Sequence, residues 1–290
     1  MNSLLKTILL TGIALIAFAA NSVLCKMALG GNAIDASGFT IIRLLSGAIV
    51  LSIILLISKN KSSSQKKGSW FSSFMLFLYV IAFSFAYKSL DTGTGALIMF
   101  GAVQISMITI SIINGNKLHF SEWVGVVVSF LGFVLLILPG ITAPSTIGFI
   151  LMVVAGTAWG IYTLNGKNSK NPLRDTAYNF IRTIPFLLVL LILVYKDVKY
   201  THEGIWLAVI SGGVTSGIGY TIWYIALRGL STTQAAVVQL LVPVIAAFGG
   251  VLFVSEKITV RLSLSSLLIL GGILVVMISR KYLRNNSRTQ

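Results

Sequence analysis

Acidic residues are scarce in this chain, which has 7 Asp and Glu against 22 Lys and Arg among 290 residues. Charged residues make up 10% of the sequence, whereas soluble domains average about 25%. A single cysteine, Cys25, excludes an internal disulfide, and the two separated histidines, His119 and His202, form no metal cluster. We therefore expect no disulfide, no metal and no cofactor, and the composition excludes an ordinary soluble enzyme.

The positive charge of the chain does not indicate nucleic-acid binding. The formal net charge is +15, but the basic residues lie in short connectors and at the C-terminus and form no single stripe. We expect no nucleic-acid partner. The apolar run after Lys6 resembles a secretory signal, yet we interpret it as an uncleaved first membrane span because similar runs recur along the whole chain.

These apolar runs predict an all-α integral membrane protein with ten transmembrane helices. The predicted spans cover residues 5–28, 36–57, 70–88, 92–113, 121–138, 145–164, 175–195, 204–227, 231–254 and 259–279. Lys and Arg residues concentrate in alternate connectors, which predicts that both termini are cytoplasmic. The residues on that side are Lys6, Lys59, Lys61, Lys66, Lys67, Lys117, Lys167, Lys170, Arg174, Arg228, Arg280, Lys281, Arg284 and Arg288.

The two halves of the chain resemble each other. Shifting residues 90–138 by 140 positions onto 230–278 aligns Leu90 with Leu230, Thr92 with Thr232, Ala96 with Ala236 and Gly132 with Gly272. Earlier in each half, Arg43 lies over Arg182. We predict two five-helix repeats, residues 1–140 and 141–290. Because five is odd, the second copy enters the membrane inverted, an arrangement typical of alternating-access transporters.

The segment QLLVPVIAAFGGVLFVSEK, from Gln239 to Lys257, resembles the ninth helix of EamA-type transporters in the drug/metabolite transporter superfamily. Supporting motifs are Ala158-Trp159-Gly160, the Arg43 and Arg182 positions, Tyr224-x-x-Leu227 and the run at 231–236. The first half departs from the pattern, with Val103 and Asn116 where proline and glutamate would stand. The resemblance covers essentially the whole chain and implies a small-molecule carrier whose central cavity is enclosed by both halves.

Two residues of the ninth span are candidates for gating. Pro243 would free the backbone carbonyl of Gln239, which makes it either a packing kink or a hinge. Glu256 follows the same span. It either stops the helix at the membrane boundary or takes part in a gate.

Two arginines inside spans are further gating candidates. Arg43 and Arg182 lie about two turns inside their helices, and Asp35 and Asp175 precede them near the same helical face. An arginine at the bilayer centre costs about 2.5–3.5 kcal/mol on an insertion scale. Each arginine therefore either extends to the membrane surface and pairs with backbone carbonyls, or attracts a substrate carboxylate and changes partners between the two open states.

Uncharged polar and aromatic side chains well inside the spans are the candidate substrate-binding residues. They are Asn21, Ser22, Tyr79, Phe83, Gln104, Trp159, Tyr162, Tyr220, Tyr224 and Gln239. The aromatic residues on the third and eighth spans recur every four positions, so each set forms one stripe that serves either helix packing or a pocket. The glycine-rich run at 211–219 lacks the P-loop lysine and lies inside a span, so it predicts no nucleotide site.

No acidic residue falls in the middle of a predicted span, which argues against a proton-coupled multidrug exporter. The favoured function is alternating-access export of an amino acid or related small metabolite across a bacterial inner membrane. Uptake or exchange of a nucleoside-like metabolite, efflux of toxic compounds, and a scaffold or sensor are alternatives. An enzyme is disfavoured because no catalytic constellation lies within the spans. The expected partners are a small-molecule substrate and membrane lipids, with the chain as monomer or homodimer.

Overall fold

The computed structural model describes residues 3–58, 68–113, 120–138, 144–166, 169–194, 199–230 and 238–286. Its helices are α1 (Ser3–Gly30), α2 (Ala36–Ile57), α3 (Trp70–Tyr87), α4 (Thr92–Ile113), α5 (Phe120–Ile137), α6 (Thr146–Gly166), α7 (Pro172–Ile181), α8 (Ile184–Val194), α9 (His202–Ile210), the π-helical segment Ser211–Ile218, α10 (Gly219–Leu227), α11 (Leu241–Val254) and α12 (Val260–Asn286). Several residues singled out in the sequence lie outside these ranges, namely Lys59, Lys61, Lys66, Lys67, Asn116, Lys117, His119, Lys167, Arg288 and the run 231–236.

The described helices account for ten apolar stretches. Seven are long and apolar enough to cross a bilayer, and two of these are composite: α7 with α8, and α9 with the π segment and α10. Three shorter apolar stretches, Phe120–Leu136, Leu241–Val254 and Val260–Val276, complete the set. The prediction of an all-α membrane protein with ten helices is confirmed, since each stretch falls within a predicted span to within a few residues.

Side chains with short polar groups begin several of these helices. Asp35 accepts hydrogen bonds of 2.9 Å from the backbone N–H groups of Ser37 and Gly38 at the start of α2. Asn171 and Thr201 cap α7 and α9 in the same way. Such caps satisfy N–H groups that have no partner inside the helix. Asp35 therefore bonds at the start of its own helix and forms no ion pair with Arg43, although both lie near one face of α2.

The connections between helices meet at two ends of the molecule. At one end, called here the Glu256 end, the connections after the odd-numbered spans bond to one another. The bonds are Asp35 N to Lys199 O at 2.9 Å, Lys26 Nζ to Leu90 O at 2.8 Å, Ser89 Oγ to Ser145 Oγ at 2.6 Å and Arg261 Nη1 to Leu138 O at 2.5 Å. The chain thus returns to this end after every second span.

The opposite end, called the Arg228 end, gathers the intervening connections. Gly68 N donates to Asp175 Oδ1 at 3.2 Å, and Ser69 N donates to Asn179 Oδ1 at 3.0 Å. Arg228 Nη2 donates to the carbonyl oxygen of Lys170 at 2.8 Å. Asp175 therefore holds the α2–α3 connection and has no bond to Arg182 in the described part of the chain.

Contacts between helices show that α6 runs opposite to α1. Phe18 of α1 stacks on Phe100 of α4, and Lys26, further along α1, bonds to Leu90 just before the start of α4. Helices α1 and α4 are therefore antiparallel. Helices α4 and α6 run in the same direction, because Gly156 packs on Met99 and Gly160, one turn later, packs on Val103. Helix α6 is parallel to α4 and so antiparallel to α1.

Helices α5 and α12 also cross in opposite directions. Ser121 Oγ hydrogen-bonds Ser279 Oγ, Gly125 packs on Gly272, and Ser129 Oγ donates to the carbonyl oxygen of Ile269 at 3.2 Å. Positions 129 and 269 differ by the shift of 140 that aligns the two halves of the sequence. Equivalent positions therefore meet where these helices cross, as expected if an axis of pseudo-symmetry passes through that point.

Candidate functional site

A small cavity lies near the middle of the spans, among α1, α3, α4, α6 and α10. It is lined by Phe18, Asn21, Tyr79, Phe83, Met99, Phe100, Trp159 and Tyr220. Its volume is ≈ 10 Å³, about the space that one water molecule occupies. The ring of Phe18 lies 5.5 Å from that of Trp159 and 5.9 Å from that of Tyr220. The central chamber expected from the sequence is therefore closed by aromatic packing in this conformation.

Arg43 is fully buried beside this cavity. Its Nη2 donates to the Tyr79 hydroxyl at 2.9 Å and to the Tyr220 hydroxyl at 3.0 Å, and its Nε donates to Ser216 Oγ at 3.1 Å. The guanidinium carbon lies 5.4 Å and 5.0 Å from the ring centroids of Tyr79 and Phe83. Among the described residues it has no carboxylate partner. A permanent positive charge is thus held by neutral hydroxyls and aromatic faces, and Arg43 does not extend to the membrane surface.

The π-helical segment supplies the hydroxyls of this network. The Oδ1 atom of Asn21 accepts hydrogen bonds from Ser211 Oγ at 2.8 Å, Thr215 Oγ1 at 2.6 Å and Ser216 Oγ at 3.2 Å. A π-helix bonds residue i to residue i+5. The residues four and five positions after a given residue therefore lie on the same face of the helix as that residue. The wider turn therefore brings all three hydroxyls to one amide, which a regular α-helix would not do.

Glycine at position 212 allows α2 to lie directly against the π segment. A Cβ atom added there would overlap the carbonyl oxygen of Arg43 and the Oγ atom of Ser46. Both belong to α2, and the carbonyl is backbone that cannot rotate away. This close contact fixes the depth at which Arg43 enters the centre of the molecule.

Several donors around the cavity have no partner among the described residues. They are the Nδ2 atom of Asn21, the Nη1 atom of Arg43 and the Nε1 atom of Trp159, all buried. In addition, the Tyr79 hydroxyl accepts from Arg43 and, at 3.2 Å, from the Tyr220 hydroxyl. The proton of the Tyr79 hydroxyl is thus available to donate to another acceptor. Unpaired buried polar groups are uncommon in proteins, and three of the twelve such atoms among the described residues lie at this centre.

The structure brings together half of the predicted substrate-binding set. Asn21, Tyr79, Phe83, Trp159 and Tyr220 line the cavity. The others, Ser22, Gln104, Tyr162, Tyr224 and Gln239, are buried outside its lining. Tyr162 and Tyr224 form the next layer on the side of the Arg228 end, with Tyr162 stacked 5.6 Å from Trp159 and the Tyr224 hydroxyl donating to the Tyr162 carbonyl oxygen at 3.3 Å.

Sequence reasoning missed part of the site. The lining residues Phe18, Met99 and Phe100 were not singled out, because apolar residues in an apolar span carry no distinguishing signal. Ser211, Thr215 and Ser216 were seen only as part of a glycine-rich run. Their spacing of four and five positions, beside glycines that weaken a regular helix, is the signal that could have identified them.

Two of the three remaining gating candidates, Pro243 and Arg182, have local explanations. Helix α11 begins at Leu241, so Pro243 lies in its first turn, where a backbone N–H has no partner within the helix in any case. The expected kink is therefore a restart of the helix after Leu240. Arg182 occupies the turn between α7 and α8, partly exposed, with its guanidinium carbon 5.5 Å from the centroid of Trp70. It lies outside the cavity lining, unlike its counterpart Arg43.

Glu256 joins two elements at the Glu256 end. Both carboxylate oxygens accept from the backbone N–H of Thr92 at 2.9 Å, and Oε1 also accepts from the Thr92 hydroxyl at 2.9 Å. This pair, called the Glu256 latch, ties the α11–α12 connection to the start of α4. Beside it, Lys26 pairs with Asp91 at 3.7 Å. A cleft of ≈ 170 Å³ opens next to the latch.

The half-buried position of Glu256 affects its protonation. Burial raises the pKa of the Glu256 carboxyl above its ordinary value, while the hydrogen bonds from Thr92 act in the opposite direction. Between the ordinary and the raised pKa, the folded protein binds more protons than the unfolded chain. Stability from this group is consequently present at low pH and is lost as the pH rises through the raised value.

Glu256→Gln is therefore expected to match or exceed the thermal midpoint of the wild type at pH 7.5, because glutamine keeps an acceptor for Thr92 without a buried charge. The difference should shrink as the pH is lowered and the wild-type carboxyl becomes protonated. The measurement is thermal unfolding of the purified protein in detergent between pH 5 and 8. Glu256→Ala, which removes the acceptor, should be destabilised throughout. A markedly lower midpoint for Glu256→Gln at pH 7.5 would contradict this account.

The ten apolar stretches of the described helices alternate between two ends of the molecule, which is the architecture of a multi-pass membrane protein. The sequence model of the EamA-like transporter family matches the chain twice, over residues 5–138 and 146–278. The chain therefore belongs to the EamA-like transporter family, which is part of the drug/metabolite transporter superfamily, and it is not an enzyme.

Relatives agree with this assignment. The chain is 42% identical over 275 residues to an uncharacterised protein of Pseudomonas aeruginosa, covering 95% of this chain and 96% of that protein. It is 25% identical to the uncharacterised transporter YoaV of Bacillus subtilis, covering 81% and 85%. A crystal structure that is 17% identical superposes with a TM-score of 0.64 over 92% of this chain and 96% of that one. This last similarity concerns the fold alone.

Proposed function

We propose that this protein is an alternating-access carrier that exports a small polar metabolite, an amino acid or a related compound, across a bacterial inner membrane. The observation that carries the proposal is the buried Arg43 network beside a closed cavity, where side chains from α1, α2, α3 and α6 meet the π segment and α10. Buried charges are costly within a membrane and commonly mark the route of a substrate.

The direction of the helices supports the mechanism. We infer two inverted repeats, residues 1–140 and 141–290, because α6 runs opposite to α1 and α5 crosses α12 at equivalent positions. The cavity lies between elements of both repeats. Rocking of one repeat against the other would open this centre to each side of the membrane in turn.

Each end of the molecule has contacts that such rocking must break. The Glu256 latch and the Asp35–Lys199 bond join the repeats at the Glu256 end, whereas Gly68–Asp175 and Ser69–Asn179 join the repeats at the Arg228 end. With cytoplasmic termini, as the basic connectors indicate, the Glu256 end faces outward. We infer that the latch closes the outer side and that the break at Leu240, ahead of Pro243, is a hinge.

The test is transport by the purified protein in proteoliposomes. Vesicles are loaded with a mixture of amino acids, nucleosides and small organic acids, and loss of each compound is followed by mass spectrometry against vesicles without protein. We expect a protein-dependent loss of at least one class of compound, with saturation at high concentration. Retention of every compound across the panel would favour a scaffold or sensor and would reject carriage.

A further inference from the structure

We propose that the transported substrate is a small organic anion, a carboxylate with an apolar or aromatic body and without an ammonium group, and that it binds beside Arg43. This inference rests on the proposed transport function and narrows its substrate class. It replaces the amino acid of the proposed function, which is a zwitterion, with an anion, for three reasons that the geometry of the centre provides.

The first reason is the direction of the hydrogen bonds. Arg43 donates to Ser216, and Ser216 donates in turn to Asn21 Oδ1, which also accepts from Ser211 and Thr215. The acceptor capacity of Asn21 is thus filled from the protein, while its Nδ2 atom has no partner among the residues that the structure describes. The groups left over at the cavity are donors, and an ammonium group would need acceptors.

The second reason is the charge. Arg43 is fully buried, and its bonding partners among the described residues are the hydroxyls of Tyr79, Tyr220 and Ser216. Hydroxyls satisfy hydrogen bonds but leave the positive charge uncompensated. A carboxylate would supply the missing negative charge, whereas a cationic amine beside the guanidinium would be repelled.

The third reason is the surface of the cavity. Apart from Asn21, its lining consists of aromatic rings and Met99. Aromatic rings and a thioether make favourable contacts with the flat apolar part of a ligand. The Nε1 atom of Trp159, which has no partner among the described residues, and the proton of the Tyr79 hydroxyl provide two more hydrogen-bond donors in the cavity lining. Arg43 lies against the Tyr79 and Phe83 rings, which line the cavity. A ligand that separates these aromatic side chains would therefore come close to the positive charge.

The closed cavity has room for about one water molecule, so binding requires the helices to separate. The donors are nevertheless held in place before the ligand arrives. Arg43 is fixed by three hydrogen bonds and Asn21 by three more. A site that is already ordered loses less freedom on binding than one that must form around its ligand.

Three ligands that share a phenylethyl group test this inference. 3-Phenylpropionate carries only the carboxylate, phenylalanine carries both charges, and phenethylamine carries only the ammonium group. Binding to the purified protein is measured by quenching of intrinsic tryptophan fluorescence at pH 7.5, and uptake is measured by counterflow in proteoliposomes. We expect 3-phenylpropionate to bind at least tenfold more tightly than phenylalanine, and phenethylamine to show no saturable binding.

Variants at the centre provide the second arm. Arg43→Gln is expected to weaken binding of 3-phenylpropionate at least tenfold, and Arg43→Lys to retain part of it by keeping the charge. Tyr79→Phe removes one hydroxyl with little change in volume and should weaken binding several-fold, which keeps the test valid if Arg43→Gln fails to fold. Arg228→Gln makes the same charge change at the exposed Arg228 end and should leave binding unchanged.

The outcomes separate this inference from the proposed function. Tighter binding of phenylalanine than of 3-phenylpropionate would overturn the anion and still support an amino-acid carrier. Unchanged affinity in both Arg43→Gln and Tyr79→Phe would also overturn the inference. Binding of none of the three ligands would count against it too, while the broad transport panel would decide independently whether the protein is a carrier.

Discussion

Gly212→Ala is expected to destabilise the protein strongly, because the added methyl group would overlap the carbonyl oxygen of Arg43. Overpacking of a buried site commonly costs about 1–3 kcal/mol, and the upper part of that range is expected where the contact atom is backbone. Separation of α2 from the π segment would also withdraw Arg43 from Tyr79 and Tyr220. The thermal midpoint in detergent and transport in proteoliposomes should therefore both fall.

Gly271→Ala is the matched control for this prediction. An added Cβ at Gly271 meets no atom within 4 Å, and the residue lies inside α12. Alanine is intrinsically favoured over glycine in a helix interior by about 1 kcal/mol. The control should keep or slightly raise the midpoint. Equal behaviour of the two variants would show that the close contact at Gly212 does not limit packing.

Asn21→Leu is the second variant with a large expected effect. Leucine keeps the branched shape of asparagine but removes the acceptor shared by Ser211, Thr215 and Ser216. Leaving a buried polar group unpaired costs about 1–3 kcal/mol. Thr215 also donates to the carbonyl oxygen of Ser211 and is partly protected, so the loss falls mainly on Ser211 and Ser216. We expect a clear fall in the thermal midpoint together with loss of transport.

Asn21→Asp separates the two roles of this residue. Aspartate keeps oxygen acceptors for the three hydroxyls and places a negative charge near Arg43, so the thermal midpoint should stay near that of the wild type. The variant loses the Nδ2 donor, and its carboxylate neutralises the positive charge of Arg43 that a bound anion would need. Flux of a carboxylate should therefore disappear. Retained carboxylate flux in Asn21→Asp would contradict a direct role of this side chain in binding.

The architecture could be read from the sequence because its determinants are local. Apolar runs of bilayer length set the helices, and Asp35 and Thr201 mark helix starts through bonds to residues two or three positions away. Arg43 could also be recognised from local sequence alone, because it is a charged residue inside an apolar run. These features need no knowledge of the other helices.

The site depended on distant contacts, which the sequence does not reveal. The partners of Arg43 come from α3, the π segment and α10, whereas its nearest acid in sequence, Asp35, caps the start of α2. The extra width of the π turn and the closeness permitted by Gly212 arise from packing of whole helices. For the same reason, the effect of Pro243 could be placed correctly only when the start of α11 was known.

An uncompensated guanidinium at the centre has an electrical consequence. Because Arg43 belongs to a helix and is not carried through the membrane, each carboxylate exported by the proposed mechanism would take one negative charge with it. A membrane potential that is negative inside drives such a movement outward, by about 2.3 kcal/mol per 100 mV. An exporter of this kind would be electrogenic and powered by voltage alone, with no need for a proton or sodium ion to accompany the substrate.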